Sequence, residues 1–339
     1  MIKVLLLADT HLGFDLPSRP RVEKRRRGPD FFANTRLALE PALRGEVDLV
    51  VHGGDLLYRS KVPPGLVAEA IEPLLEVADF GVPVVLVPGN HERSALPYPL
   101  LASHANLHVL DQPKTVELQI DGTRLAIGGF PCERDNIRDQ FSALVKDCGV
   151  VETNAGIRLL CIHQTVEGSR VKGYTFRSGA DIICGRDIPH GLAAVLCGHI
   201  HRSQALDRDL KGNRLAAPVL YPGSVERTSL AEREEPKGYL VLELEANAES
   251  GGRLERWEFC ELPARPMFVL SLDATDLAPD ALENRIRDEL GRFPTDAVVD
   301  LRIEGELSPA TGEVIRAASL RTLHPKTMTV ALRFRTTRR

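Results

Sequence analysis

Two histidines separated by one residue, His199 and His201, directly follow the apolar run at 193–197. Imidazole nitrogens bind ions such as zinc, iron and copper, so a pair of histidines at the end of a buried segment could hold a metal. Single pairs of this kind also occur in ordinary surface loops. The pair becomes informative only if other metal-binding side chains follow apolar runs elsewhere in the chain.

Polar side chains of this type do follow other apolar runs. The runs at 4–8, 48–51, 82–87 and 158–162 each end in a carboxylate, amide or imidazole residue. The candidate metal ligands are Asp9, His11, Asp55, Asn90, His163, His199 and His201. Taken singly, each could be an ordinary turn residue that caps a strand. The ordered series as a whole favours one shared site.

The chemistry of this set indicates a catalytic rather than a structural metal site. It contains oxygen and nitrogen ligands without a thiolate, which suits manganese, iron or zinc, whereas structural zinc sites more often use cysteine. Seven ligands exceed the needs of one tetrahedral ion but suit two ions that share a carboxylate. Two metals roughly 3.5–4 Å apart can stabilise both the attacking and the leaving oxygen of a phosphate ester.

The elements that must position these residues are short strands and amphipathic helices. The apolar runs are rich in Val, Leu and Ile, as buried strands are. Helix-like stretches at 31–43 and 63–79 lie between the first three runs. This alternation predicts an α/β fold, in which ligands gather beyond the carboxyl ends of the strands. From 115 onward the sequence is rich in strands, which predicts a second sheet packed against the first.

The domain boundary is predicted near Pro263, with one domain at 1–262 and a second at 263–339. The second part has the pattern strand, helix, strand, helix, strand, typical of a small α+β module. Its second helix is predicted over 309–323.

Composition excludes some classes of protein. The net charge of −4 is incompatible with a globally basic surface for nucleic acid, so any phosphate binding must come from local patches. No apolar run approaches the roughly 18 residues of a membrane span, and the first residues indicate a strand rather than a signal peptide. Six cysteines without a CxxC pair predict a reduced, cytoplasmic protein without a disulfide framework.

The ordered motifs DTH, GGD, GNHE, IHQ and GHIH resemble those of the calcineurin-like metallophosphoesterases. The segments YPGSVERT at 221–228 and KGYLVLEL at 237–244 narrow the resemblance to the SbcD-type nucleases of DNA double-strand-break repair. This resemblance implies a four-layer αββα sandwich with a small C-terminal α+β capping domain. It also implies a metal-dependent DNA exonuclease or endonuclease, with an SMC-like ATPase of the SbcC type as partner.

The resemblance further implies a role for each site residue. It implies two ligand sets joined by a bridging Asp55: Asp9, His11 and His201 in one, and Asn90, His163 and His199 in the other. His91 would be a catalytic histidine that binds no metal and donates a proton to the leaving oxygen or stabilises the phosphorane. A hydroxide bridging two divalent ions, manganese by analogy with relatives, would attack phosphorus in line. Ser224, Glu226 and Arg227 would line the cleft.

A basic run at 19–27 follows the first strand end and is a candidate contact for the DNA backbone. Its basic residues are Arg19, Arg21, Lys24, Arg25, Arg26 and Arg27. Phosphate contacts of this kind are sensitive to salt and independent of base sequence. The alternative is a solvated loop that precedes the helix at 31.

Two departures from the SbcD pattern leave alternatives open. Tyr58 stands where relatives carry a histidine or aspartate, so the balance between exonuclease and endonuclease action stays open. Arg59 matches the arginine of a phosphatase motif, which keeps a metallophosphatase or a cyclic-nucleotide phosphodiesterase as the first alternative. A DNA-end-binding scaffold with a vestigial site is the second alternative.

Partners are also open at this point. The sequence stops at ALRFRTTRR, before the helices with which SbcD-like chains dock on the ATPase, so that partner is in doubt. By analogy with the family, stretches 63–79 and 93–104, both expected to be helical, could form the face of a homodimer.

Overall fold

The structure is a computed structural model that describes residues 1–15, 27–93, 95–305 and 307–335. The chain divides into two compact units. The larger unit comprises Met1–Phe14, Gly28–Arg227 and Glu235–Pro263, and the smaller unit comprises Asp15–Arg27, Thr228–Glu234 and Ala264–Arg339. The domain boundary between 262 and 263 stays a prediction, because two further segments are grouped with the smaller unit.

The larger unit is built from strands and helices that alternate in its first part. Its strands are β1 (Ile2–Leu7), β2 (Leu49–His52), β3 (Val84–Leu86), β4 (Leu107–Val109), β5 (Lys114–Ile120), β6 (Thr123–Gly129), β7 (Ile157–Ile162), β8 (Thr165–Val166), β9 (Arg170–Val171), β10 (Tyr174–Thr175), β11 (Ile182–Ile183), β12 (Ala194–Cys197), β13 (Gln204–Arg208), β14 (Arg214–Tyr221), β15 (Gly238–Glu245) and β16 (Arg253–Glu261). Its α-helices are α1 (Gly28–Leu43), α2 (Pro64–Asp79) and α3 (Ile137–Cys148).

Most of these strands form two mixed sheets. The first has the spatial order β16-β15-β1-β2-β3-β4, and the second has the order β13-β14-β12-β7-β6-β5. Strands β1 to β4 run parallel in the first sheet, and β6, β7, β12 and β14 run parallel in the second. The parallel strands of each sheet therefore bring their carboxyl ends to one edge.

The two sheets and the helices form four layers. Val4 and Leu6 of β1 share a core with Leu159 of β7 and Leu196 of β12, which places this core between the sheets. Leu5 of β1 points the other way, into a core with α1 and α2. A third core packs α3 against the outer face of the second sheet. The four-layer α/β sandwich predicted from the sequence is confirmed.

Burial on both faces explains why the strands read as continuous apolar runs. Strand β7 is buried at every residue, and so are β2 and β12. Neighbouring side chains of a strand point to opposite faces, so a strand covered on both sides needs apolar residues throughout. The polar residues that follow each run mark the point where the strand leaves the core.

The smaller unit contains β17 (Met267–Asp273), β18 (Val298–Glu304) and β19 (Thr329–Arg335) in one parallel sheet. Helix α4 (Pro279–Leu290) connects the first two strands.

The prediction of one helix over 309–323 is wrong. This stretch forms two short helices, α5 (Pro309–Val314) and α6 (Ala317–Leu320). Arg316 is extended between them, with φ −61° and ψ 145°. Gly312 lowers the helical stability of this stretch by about 1 kcal/mol relative to alanine.

The stretch at 93–104 was also predicted to be helical, and this is wrong. Its described residues form only a 3-10 helix at Pro99–Ala102. Pro97 and Pro99 explain the difference, because proline lacks the N–H of a helical hydrogen bond and disfavours helical backbone in the preceding residue. One of the two helices expected for a dimer face is therefore absent from the described part of this stretch.

No helix within the described residues is long and apolar enough to span a membrane. All six cysteines are free thiols, and Cys161 and Cys197 are buried in β7 and β12.

Candidate metal centre

The predicted ligands lie at the carboxyl ends of parallel strands from both sheets. Backbone hydrogen bonds fix the loops that carry them: Asp9 N–H donates to Gly54 O at 2.9 Å, and His11 N–H donates to Asp55 O at 3.0 Å. The second sheet is joined to the first because His199 N–H donates to the Asp9 carboxylate at 3.0 Å. The two sheets therefore bring the predicted site residues to one place.

The first group of side chains comprises Asp9, His11 and His201. The Nε2 atoms of His11 and His201 are 3.0 Å apart, and His201 Nε2 is 3.7 Å from Asp9 Oδ1. His11 Nε2 is 3.9 Å from the same oxygen. One ligand atom from each residue lies within 4.8 Å of the other two, which is the spacing of groups that share a metal ion.

The second group comprises Asn90, His163 and His199. Asn90 Oδ1 is 3.0 Å from His163 Nε2 and 2.9 Å from His199 Nδ1. Burial lowers the pKa of His199 to about 3, so its imidazole is neutral and able to act as a ligand at neutral pH.

Asp55 lies between the two groups. Its Oδ2 is 3.4 Å from His163 Nε2 and 4.0 Å from His11 Nε2. Its Oδ1 accepts the backbone N–H of His91 at 2.8 Å. Burial disfavours the charged form of Asp55, but His163 and other imidazoles outweigh it and hold the pKa of Asp55 well below its usual range. A carboxylate that bridges two metal ions must be ionised, and Asp55 meets this requirement.

His91 borders the site and is partly exposed. Its Nδ1 bonds to the backbone carbonyl of Tyr58, so Nδ1 carries the proton of the neutral ring and Nε2 carries the lone pair. Nε2 faces Asp55 Oδ2 at 3.8 Å, and the ring lies 4.9 Å from that of His11 between centroids. His11, Asp55 and His91 also lie close enough together to hold an ion. The geometry thus allows either a ligand or a proton-transfer role for His91.

Several predicted ligands have an unusual backbone conformation. Asp9, His11, Asp55 and His199 have positive φ angles of 52°, 45°, 53° and 84°. Residues other than glycine rarely adopt this region, and they do so mostly where the surrounding structure enforces it, often at functional sites. Gly54, with φ 99°, also requires glycine, because a Cβ atom there would collide with the His163 ring.

The side-chain chemistry fits a cation. His163 Nδ1 donates to Gly53 O at 2.8 Å, so in the neutral ring Nε2 is a lone pair that faces Asn90 Oδ1 and Asp55 Oδ2. Three acceptor atoms that converge in a buried place require a proton or a metal ion between them. Burial would lower the pKa of His163, but the charge and the hydrogen bond of Asp55 raise it to about 9. The carbonyl that orients the outer ring nitrogen is typical of histidines that bind metals.

Glu92 has a role that the sequence did not reveal. Its buried carboxylate accepts the N–H of Leu57 at 2.6 Å and the N–H of Gly89 at 2.9 Å. It therefore ties the loop after β2, which carries Asp55, to the loop after β3, which carries Asn90. Burial and the charge of Asp55 raise the pKa of Glu92 to about 8. The GNHE motif marked this residue, but only the fold shows what it contacts.

We predict that Glu92→Ala lowers the free energy of unfolding by at least about 2 kcal/mol, because it leaves two buried N–H donors without an acceptor. Urea unfolding in the presence of a chelator measures this without a contribution from bound metal. The matched control is Glu72→Ala, which removes an exposed carboxylate paired with Arg36 at 2.7 Å. The control should lose under about 1 kcal/mol. Equal losses for the two variants would contradict the bracing role of Glu92.

Two further contacts support the ligand loops. Lys237, buried at the start of the KGYLVLEL segment, donates to His201 O at 2.7 Å. His52 is fully buried. Its Nδ1 accepts the Gly54 N–H at 3.2 Å, so its Nε2–H donates to Thr10 Oγ1 at 3.1 Å. These residues bind backbone and hydroxyl groups near the site and orient the loops that carry the ligands.

The YPGSVERT loop lies beside the site. Ser224 N–H donates to His201 O at 3.2 Å, and Ser224 pairs with Ala8 at the end of β1. Arg227 Nε is 3.1 Å from Glu226 Oε1, and both side chains are buried. Arg227 is thus tied to the carboxylate of its sequence neighbour.

Most of the predicted DNA-binding run lies outside the described residues: Arg19, Arg21, Lys24, Arg25 and Arg26. Arg27 is described and buried, and its backbone N–H donates to Asp15 Oδ2 at 3.1 Å. A DNA contact by this run stays a prediction.

Comparisons with known proteins agree with the fold and the motifs. The chain is 26% identical to DNA double-strand break repair protein Mre11 of Archaeoglobus fulgidus, over 94% of this chain and 74% of that protein. It is 29% identical to the Haloferax volcanii protein of the same name, over 92% of this chain but only 64% of that protein. It is 23% identical to the SbcD component of the SbcCD nuclease of Staphylococcus epidermidis, over 86% of this chain and 78% of that protein.

The profile of one family covers most of the larger unit. It matches residues 2–203, which include every predicted metal ligand and His91. The chain belongs to the calcineurin-like phosphoesterase family.

Proposed function

We propose that this protein is a metal-dependent DNA nuclease of the SbcD type that acts in DNA repair or end processing. The observation that carries the proposal is the position of Asp55, whose Oδ2 lies 3.4 Å from His163 Nε2 and 4.0 Å from His11 Nε2. A carboxylate shared in this way suits a site for two metals and a phosphodiester. DNA as substrate is supported by the names of three relatives of the chain. Two are named DNA double-strand break repair proteins, and the third is named as a subunit of a nuclease.

We propose two divalent cations as cofactors, with manganese first and iron or zinc also compatible with the ligands. When bound, such ions supply Lewis acidity and lower the pKa of water. Asp9, His11 and His201 would hold one ion, and Asn90, His163 and His199 the other. His91, in its imidazolium form, would donate the Nε2 proton to the leaving oxygen.

The proposed substrate leads to proposals for the partners of the chain and its location in the cell. DNA is the first partner, and the cytoplasm is the proposed location. The name of the Staphylococcus epidermidis relative indicates a nuclease built from more than one kind of chain, so an ATPase of the SbcC type is proposed as a second partner. Exonuclease and endonuclease action are both compatible with the site.

The test is hydrolysis of blunt linear, hairpin and circular DNA by the metal-free protein, before and after addition of manganese. We expect no cleavage without metal, cleavage with manganese, and loss of cleavage in Asp9→Ala. Bis(p-nitrophenyl) phosphate, p-nitrophenyl phosphate and a cyclic nucleotide are assayed in parallel. Preference for the monoester or the cyclic nucleotide would favour a phosphatase or cyclic-nucleotide phosphodiesterase. DNA binding without hydrolysis of any of these esters would favour a scaffold with a vestigial site.

A further inference from the structure

A cavity of about 560 Å³ opens next to the metal centre. Three residues of the centre, Asn90, His91 and His199, form one side of it. The other lining residues are Tyr58, Arg59, Ser60, Arg93, Cys132, Glu133, Arg134, Gln164 and Asp181. The cavity is too large for a single phosphate group, and most of its lining residues lie outside the predicted metal centre.

Positive charge is concentrated in this cavity. Arg59, Arg93 and Arg134 are exposed, and within the described part of the chain none of them pairs with a carboxylate. Some exposed arginines elsewhere are paired, such as Arg36 with Glu72 at 2.7 Å, whereas others, such as Arg208, bond within the described residues only to a backbone carbonyl. The chain as a whole has a net charge of −4. Its overall composition therefore does not account for three arginines without a carboxylate partner around one cavity. Against the two carboxylates of the lining, Glu133 and Asp181, the three arginines leave an excess of positive charge, which attracts anions.

One of these arginines is tied to the metal centre. Arg134 Nη2 donates to the backbone carbonyl of Asn90, which holds the guanidinium beside a predicted ligand. A guanidinium has five N–H donors, so this bond leaves others for a second acceptor. Of the two acidic lining residues, Glu133 is engaged by its own loop, because its Oε1 accepts the N–H groups of Arg134 and Asp135 at 2.9 and 3.0 Å.

Tyr58 gives the cavity an aromatic wall. Its ring is 36% exposed, and it is held edge-on by Phe14 at 4.9 Å and by His91 at 5.7 Å between ring centroids. A fixed, partly exposed aromatic ring beside arginines is the combination that binds single nucleic-acid strands, since the ring stacks on a base or sugar while the cations bind phosphates.

We infer that this cavity binds the strand on the leaving-group side of the cleaved bond, with Arg59, Arg93 and Arg134 on its flanking phosphates and Tyr58 against the adjoining nucleoside. The inference rests on the proposed function, because His91 marks the leaving-group side only if it donates to the leaving oxygen. Guanidinium groups suit this task, since their planar array of donors matches two phosphate oxygens at once. The substrate class is therefore a phosphodiester that carries at least one further phosphate beyond the one that is cut.

The test compares an oligonucleotide with bis(p-nitrophenyl) phosphate, which has no flanking phosphate. The principal variant is Arg59→Gln/Arg93→Gln, because Arg134 also contacts Asn90. We expect the ratio of kcat/KM for the oligonucleotide to that for bis(p-nitrophenyl) phosphate to fall at least about tenfold. The salt dependence of oligonucleotide binding by the metal-free protein should weaken by about 0.7 in log–log slope for each arginine that no longer binds a phosphate. Arg36→Gln is the matched control for an exposed arginine outside the cavity.

The outcomes separate this inference from the proposed function. If wild-type protein cuts oligonucleotides and the double variant changes neither the ratio nor the salt slope more than Arg36→Gln, the cavity assignment is overturned and the nuclease proposal stands. If wild-type protein hydrolyses bis(p-nitrophenyl) phosphate but no oligonucleotide, the nuclease proposal fails. Inhibition by adenosine triphosphate, with metal in excess, then decides whether the cavity binds closely spaced phosphates. Weaker inhibition of the double variant would support that binding, and equal inhibition would overturn it.

Discussion

Asp55→Asn is expected to lower kcat for bis(p-nitrophenyl) phosphate by about 10³-fold or more and to reduce the number of manganese ions bound per chain. The substitution keeps the size of the side chain and the acceptor for the His91 N–H, and asparagine tolerates the left-handed backbone at this position. It removes the negative charge that lies between the two groups of ligands. Metal ions stabilise the transition state by several kcal/mol, and each 1.4 kcal/mol is a factor of about ten in rate.

Metal content is measured by equilibrium dialysis against manganese followed by elemental analysis. Asp111→Asn is the matched control, since Asp111 is an exposed carboxylate that pairs with Lys114 at 2.7 Å. This control should keep the wild-type activity and metal content. Two tightly bound ions in Asp55→Asn, with activity near that of the control, would contradict the bridging role of Asp55.

The set of ligands could be predicted from the sequence because their positions follow a simple structural rule. In a parallel sheet the carboxyl ends of neighbouring strands meet at one edge, so polar residues after successive apolar runs must converge. Asp9, Asp55 and Asn90 follow the adjacent strands β1, β2 and β3, and His163 and His199 follow β7 and β12. The continuous apolar runs identified these strands, since strands covered on both faces cannot alternate with polar residues.

The supporting contacts could not be predicted in the same way. Glu92 bonds to Leu57 and Lys237 bonds to His201, and each pair is separated by 35 or 36 residues. Such pairs depend on how two loops lie in space, and no local periodicity encodes that. The positive φ angles of Asp9 and Asp55 are likewise imposed by neighbouring loops rather than by the residues themselves.

The errors at 93–104 and 309–323 have a common cause. The helix at 93–104 was expected together with a dimer face by family analogy and the helix at 309–323 from the sequence pattern, and in both stretches local backbone preferences prevailed. Two prolines interrupt the first stretch. In the second, Gly312 weakens the helix, and the Thr311 hydroxyl donates to Leu277 O at 3.0 Å, which fixes the chain before the break at Arg316. Short helices depend on their weakest residues, because a few turns supply little free energy beyond the cost of nucleation.

His91→Asn is expected to lower kcat for DNA by about 10²- to 10⁴-fold, the usual contribution of a positioned proton donor, while both metal ions remain bound. The expected loss on bis(p-nitrophenyl) phosphate is smaller. Its leaving group is a weakly basic phenolate that departs without a proton, whereas the leaving oxygen of DNA is a strongly basic alkoxide. The dependence on the leaving group therefore isolates proton donation from other effects of the substitution.

This comparison also decides between the two roles that the geometry allows for His91. Nε2 lies 3.8 Å from Asp55 Oδ2, so the ring is close enough to complete a metal site with His11 and Asp55. A ligand role requires that His91→Asn bind fewer manganese ions per chain than the wild-type protein. A proton-donor role requires full metal content and a loss concentrated on DNA. The Nδ1 bond to the Tyr58 carbonyl orients the ring in either role, so metal content measured together with the dependence on the leaving group decides between them.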